Sequence, residues 1–116
     1  MPVIVVSANE STQHKVRRVL VGQGAEVLLA SNAEEVLQHV PYTVAAARQA
    51  DNLLPASARR PDYGVLMDLT LPTDQQRAIM SFLAVRGVAL MPIRHDDDET
   101  QITIAYDELR RFMPNL

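Results

Sequence analysis

Short, compact and mostly apolar runs alternate along this chain with segments whose apolar residues recur at helical spacing. The runs cover residues 3–6, 25–30, 63–69 and 88–93. Apolar runs of this length are typical of strands that are covered on both faces by helices. The alternation therefore predicts an α/β domain with a mostly parallel sheet.

Size and charge narrow the range of functions. The chain has 116 residues, 47% of them hydrophobic, which is enough for one core, so we expect a single domain over residues 1–116. Its formal net charge of −3 gives no general attraction to nucleic acid or to anionic lipid. The apolar run at residues 2–8 is too short for a signal or membrane-spanning segment, so we expect a cytoplasmic protein without nucleic-acid or membrane partners.

Polar residues that can cap helices precede the helical segments. Asn9 or Ser11 can begin the first helix, Ser31 or Asn32 the second, and Asp74 the third. The predicted buried positions are Val16, Val19 and Leu20 in the first helix; Ala33, Val36, Leu37 and Val40 in the second; and Ala78, Ile79, Phe82 and Leu83 in the third. Pro41 is expected to stop the second helix, and residues 42–54 to form an extra helix or a long loop.

The structure predicted for the carboxyl-terminal part depends on the short connection that follows the fourth apolar run. Residues 94–100 are too few for a crossover helix, because parallel strands need about a dozen or more residues between them. Residues 101–106, where Ile102, Ile104 and Tyr106 alternate with smaller residues, are therefore predicted as a fifth, antiparallel edge strand. The fourth helix would then be shortened or missing, and a short helix would end the chain. The acidic run at 95–99 is interpreted as a solvated turn.

A carboxylate ends the third apolar run. Asp68 closes this run and is followed four residues later by Pro72. A parallel strand brings a residue in that position to the rim of the sheet, where ligands bind in folds of this class. Asp68 is therefore the leading candidate for a site residue.

These features resemble a receiver domain of the two-component response-regulator family. The likeness rests on residues 3–6, 17–20, 24–27 and 30–37, on Arg60-Pro61-Asp62, and on the segment from Asp68 to Pro72. The resemblance implies a doubly wound, flavodoxin-like fold, a phosphoryl group accepted on an aspartate with Mg²⁺, and transmission to a protein partner or an output domain. It makes Asp68 the candidate phospho-acceptor.

The residues that would handle the phosphoryl group depart from the family pattern. Where the family has two acidic Mg²⁺ ligands after the first strand, this chain has Ser7 and Ala8. The family's lysine after the fifth strand has no counterpart, since the sole lysine is Lys15 in the first predicted helix. Because Mg²⁺ is usually held through one or two carboxylates plus phosphate oxygens, Asp68 alone is a weak ligand and no cofactor is predicted. The candidate substitute ligands are Asn9, Glu10 and Thr70.

Three functions follow from this mixture. The first is a degenerate receiver, or pseudo-receiver, that is not an enzyme and binds a protein partner or output domain without phosphorylation. The second is an unorthodox phospho-receiver that uses Asp68, and the third is an unrelated flavodoxin-like ligand-binding domain with its site near Ser7, Asn9 and Asp68. The first predicts a homodimer through the carboxyl-terminal strand and helix. Its interface candidates are Ile102, Ile104 and Tyr106.

Overall fold

The computed structural model describes residues 2–39, 63–86 and 88–112. Its strands are β1 (Pro2–Val6), β2 (Glu26–Ala30), β3 (Gly64–Asp68) and β4 (Ala89–Ile93). All three pairings are parallel, and the strand order is β2-β1-β3-β4. The α/β class and the four predicted parallel strands are therefore confirmed.

Helices cover both faces of this sheet. They are α1 (Glu10–Gly22), α2, which begins at residue 33 and is described through residue 39, α3 (Thr73–Arg86) and α4 (Glu99–Phe112). One hydrophobic cluster joins the sheet to α1 and α4, and a second cluster joins the opposite face to α2 and α3. Among the described helices, none has an apolar stretch long enough to cross a membrane.

An asparagine side chain caps each of the first two helices, as one of the two candidates predicted for each. The Asn9 side chain accepts a hydrogen bond from the Thr12 N–H at 3.2 Å and begins α1. The Asn32 side chain accepts from the Glu35 N–H at 2.9 Å, while the Glu35 carboxylate accepts from the Ser31 N–H at 2.9 Å. This reciprocal arrangement satisfies donors that have no partner within the first turn of a helix.

The predicted inner faces of the helices are correct at most positions. Val16, Leu20, Val36, Ile79 and Leu83 are buried. Those that pack only partly against the core are Val19, Ala33 and Phe82. Two predictions are wrong, since Leu37 is 44% exposed and Ala78 is also exposed. The predictions for Val40, Pro41 and residues 42–54 lie outside the described residues.

The predicted strand at residues 101–106 is wrong, because these residues belong to α4. Ile102, Tyr106 and Leu109 recur at intervals of four and three and are buried in the core, whereas Ile104 is 52% exposed. Asp98 begins the helix: its carboxylate accepts from the Gln101 N–H at 2.8 Å, and the Gln101 side chain accepts from the Asp98 N–H at 2.9 Å. Local capping and helical spacing thus outweigh the short alternation that favoured a strand.

The described sheet consequently has four strands rather than five, and it contains no antiparallel edge strand. The prediction of a shortened or missing fourth helix is also wrong, because the helix that follows β4 has 14 residues. It packs on the same face of the sheet as α1 and contacts β3 and β4. No described strand follows this helix, so the expected fifth strand is the element that the described chain lacks.

A glycine allows α4 to lie close to β3. A Cβ atom added to Gly64 would be 2.8 Å from Cδ2 and 2.9 Å from Cγ of Leu109. These distances are shorter than van der Waals contacts between carbon atoms, so any side chain at position 64 would displace Leu109. The tight packing of the last helix therefore depends on this glycine.

Candidate functional site

The strand order creates a switch point between β1 and β3. The chain proceeds from β1 to β2 on one side and later places β3 and β4 on the other. In open α/β sheets, ligands bind outside the carboxyl ends of the strands at this point. Ser7, directly after β1, and Asp68, the last residue of β3, meet there. The sequence-predicted acceptor is therefore at the expected rim.

Asp68 is fully buried, and both of its carboxylate oxygens are occupied by groups of the chain itself. The Ser7 hydroxyl donates to Oδ2 at 2.6 Å, and the Thr70 N–H donates to Oδ1 at 2.9 Å. The shorter distance is typical of a hydroxyl that donates to a carboxylate. Asp68 thus ties the end of β1 to the turn that follows β3.

Ser7 is held from several sides. Its N–H donates to the Ala30 carbonyl at 2.9 Å, and its Oγ accepts from the Asn9 N–H at 3.1 Å. The side chain of Gln13 in α1 donates to the Ser7 carbonyl at 2.6 Å. Ser7 itself is fully buried. The hydroxyl that contacts Asp68 is therefore part of a fixed network and not a side chain that rotates freely in solvent.

Sequence reasoning missed the contribution of Gln13. This residue is 6% exposed, and its Nε2 also lies 3.2 Å from the Ala30 carbonyl and 3.2 Å from the Ser31 hydroxyl. It joins α1 to the ends of β1 and β2. The sequence contains one signal of this role: Gln13 lies three residues before Val16, on the buried side of α1. This spacing does not identify the distant groups that accept hydrogen bonds from Gln13.

The candidate substitute ligands are not assembled around Asp68. The Asn9 side chain caps α1, and Thr70 contributes its backbone N–H while the residue is otherwise exposed. Ala8 and Glu10 are exposed. Within the described ranges, no group of three or more metal-ligating side chains is close enough together to hold a metal ion.

Lys15 reaches the loop that follows β4. Its Nζ donates to the His95 carbonyl at 2.8 Å and so connects α1 to the turn before α4. In the same turn the Arg94 N–H donates to the Asp97 carboxylate at 2.9 Å. Neither contact was predicted from the sequence: the first joins residues 80 positions apart, and the second is a local side-chain contact within the turn after β4.

The three interface candidates have different environments. Ile102 and Tyr106 belong to the core cluster beneath α4, whereas Ile104 is exposed on its outer side. The Arg110 guanidinium lies over the Tyr106 ring, 5.5 Å from its centre. An edge-strand interface through all three residues is therefore wrong.

Comparison with known proteins finds no matching family model, no curated protein of significant sequence similarity and no solved structure of significant similarity. The functional argument consequently depends on the geometry of the rim. Its central feature is a carboxylate at the switch point that is bonded internally to Ser7 and Thr70.

Proposed function

We propose that this chain is a receiver-like domain that has lost phosphoryl chemistry and acts as a protein-interaction module in signal transduction. The internal bonding of Asp68 carries this proposal. Both carboxylate oxygens accept hydrogen bonds, and the residue has 0% exposed surface. In this arrangement Asp68 supports the structure of the rim.

Phosphoryl transfer makes demands that this rim does not meet. The acceptor oxygen must lie in line with the leaving group, and cations must neutralise the charge on the transferred oxygens. Here the acceptor is covered by the Ser7 hydroxyl, and Ser7 and Ala8 supply no carboxylate for Mg²⁺. Opening the site would break the Ser7–Asp68 hydrogen bond, one between a hydroxyl and a charged group, which typically contributes about 1.5–3 kcal/mol.

Strand order supports the fold part of the proposal. The order β2-β1-β3-β4 is that of the first four strands of a flavodoxin-like sheet. We propose a flavodoxin-like domain in which the helix after β4 returns to the α1 face. The resemblance to receivers, noted above for residues 3–6 and 68–72, follows this same framework.

An interaction role is supported by large apolar side chains on the outer sides of the helices. Met80 and Val85 on α3 are 50% and 84% exposed, and Ile104 on α4 is 52% exposed. Because α3 and α4 lie on opposite faces of the sheet, these side chains do not form one contiguous patch, and a partner would contact the surface of one helix or the other. Partner binding through helical surfaces would not require any chemical change at Asp68.

An amide NMR titration tests whether the rim has lost its response to phosphate. Mg²⁺ is added first and then beryllofluoride, a mimic of aspartyl phosphate, to the parent protein and to Asp68→Asn. We expect no saturable shifts at Ser7, Asp68 or Thr70 in the parent. Saturable shifts that vanish in Asp68→Asn would contradict the proposal and favour a phospho-receiver.

A second comparison tests the interaction role itself. The proteins recovered with the parent from its own cells are compared with those recovered with Asp68→Asn, using quantitative mass spectrometry. We expect the same partners in the same amounts, because binding does not depend on a phosphoryl group. Loss of a specific partner in Asp68→Asn would contradict phosphate independence. A small molecule retained in native mass spectra of the purified protein would instead favour a ligand-binding domain.

A further inference from the structure

The outer side of β4 is one edge of the described sheet. β4 pairs with β3, and no described strand pairs with its other side. The outward N–H and C=O groups of an edge strand are a template on which a strand of another chain can add. Whether such addition occurs depends on which outward donors β4 retains.

The register of the sheet identifies the outward positions. The Leu69 N–H donates to the Ile93 carbonyl at 2.9 Å, and Ile93 lies opposite Asp68. The backbone groups of Ile93 therefore point toward β3. Because backbone direction alternates along a strand, those of Leu90 and Pro92 point away from the sheet.

Pro92 removes one outward donor. A proline has no N–H, and in a sheet it is tolerated where that group would face away from the neighbouring strand. Pro92 is in such a position and is exposed, although it lies opposite Met67 in the middle of the pairing. It therefore leaves the hydrogen bonds between β3 and β4 intact while it depletes the edge.

At either end of β4, the outward N–H group already donates a hydrogen bond to an acceptor of the chain itself. The Val88 N–H donates to the Leu83 carbonyl at 3.0 Å, and the Arg94 N–H donates to the Asp97 carboxylate at 2.9 Å. Between residues 88 and 94, Leu90 is then the one outward position whose N–H has no acceptor among the described residues.

We propose that Pro92 and Asp97 protect the outer edge of β4 against strand addition by a second copy of this chain. Pairing of two strands requires repeated hydrogen bonds along the edge, and a single N–H at Leu90 does not provide them. The inference concerns self-assembly and is independent of the chemistry of Asp68. It also directs partner proteins to the helical surfaces rather than to this edge.

The test restores the missing donors. The variant Pro92→Val/Asp97→Ala supplies an N–H at position 92 and frees the N–H of Arg94. We expect it to remain folded by circular dichroism and to show at least twice the parent's mass by light scattering, increasing with concentration. The added substitution Leu90→Pro removes the amino-terminal one of the outward donors at positions 90, 92 and 94 that the double variant presents, and should lower the mass toward that of the parent. A folded variant with the parent's mass at all concentrations would overturn the proposal.

A second pair of variants tests the orientation of β4 even if the first variant does not fold. Leu90→Pro alone places a proline at an outward position, whereas Met91→Pro places one at a position whose N–H points toward β3. We expect Leu90→Pro to lose its side-chain packing but to keep the hydrogen bonds between β3 and β4 and unfold cooperatively, and Met91→Pro to lose cooperative unfolding. Equal losses in the two variants would overturn the assignment of outward positions and with it the proposal.

Discussion

The Asp68 carboxylate is held by neutral donors, a serine hydroxyl and a backbone N–H, in a fully buried position. Burying a carboxylate is unfavourable unless its oxygens accept hydrogen bonds. A donor that no longer contacts water is likewise unfavourable unless it has an acceptor, which here is the carboxylate. The stability of the rim therefore depends on the shape and acceptor capacity of this side chain.

Two substitutions at this position separate shape from charge. Asp68→Asn retains an oxygen that can accept from the Thr70 N–H, and the Ser7 hydroxyl can rotate to accept from the new amide. We expect it to change the free energy of unfolding by about 1 kcal/mol or less. Asp68→Ala leaves the buried Ser7 hydroxyl and the Thr70 N–H without this acceptor and should cost about 2–4 kcal/mol. Urea unfolding measures both, and an equal cost for the two variants would contradict this account.

Gly64 is the second residue whose environment makes a clear prediction. Gly64→Ala places a Cβ against Leu109 and should destabilise the protein by about 1–3 kcal/mol, because the core must shift to admit it. Gly22→Ala is the matched control, since a Cβ there meets no atom within 4 Å and replaces glycine at the end of α1. The control should be neutral or stabilising by up to about 1 kcal/mol in urea unfolding. Comparable losses in the two variants would show that packing against α4 is not the cause.

At the scale of elements, α4 shows where a local pattern is ambiguous. Ile102, Ile104 and Tyr106 match a strand period over five residues, but adding Leu109 extends a helical period in which Ile104 is the exception. The decisive local signal is the reciprocal pair of Asp98 and Gln101, which begins a helix within the short connection after β4. Strands β1 and β3 were predictable because their apolar runs are buried on both faces, whereas β2 and β4 are only partly buried.

Paired substitutions in α4 distinguish the helix from the predicted strand. Ile102→Asp places a charge in the core and should destabilise the protein by more than about 3 kcal/mol, or prevent folding. Ile104→Asp, on the exposed side, should stay within about 0.5 kcal/mol of the parent. Thermal melts followed by circular dichroism measure both. In an edge strand both side chains would lie on one face and respond alike, so similar losses would contradict the helical arrangement.

At the scale of the whole molecule, the sequence predicts most local features correctly, with α4 as the main exception, and does not reveal the contacts between distant segments. Strand positions, Asn9 as a cap and Asp68 at the rim were predictable from short segments. The contacts of Gln13 and Lys15 join segments that lie far apart in the chain, so no periodicity in the sequence reveals them. The same limit applies to the Ser7–Asp68 hydrogen bond, which spans 61 positions.

Because Ser7 and Asp68 lie side by side, carboxylates at both positions would make the free energy of unfolding depend on Mg²⁺. Ser7→Asp would place a second carboxylate against Asp68, and without a cation the two buried charges should destabilise the protein by about 3 kcal/mol or more. Paired carboxylates are Mg²⁺ ligands, so Mg²⁺ should restore part of this loss, by about 2.7 kcal/mol at one hundred times the dissociation constant. Melting temperatures with and without Mg²⁺ measure the effect.

The control is Ser7→Asn, which has a similar size but no added charge and should show no dependence on Mg²⁺. The parent should also melt at the same temperature with and without Mg²⁺, because Ser7 supplies a hydroxyl that is already bonded to Asp68. A rise in the melting temperature of the parent that disappears in Asp68→Asn would mean that Asp68 binds the metal without a second carboxylate. In that case Ser7 would have to move away from Asp68 on binding, and the rim would be a switch rather than a fixed structural contact.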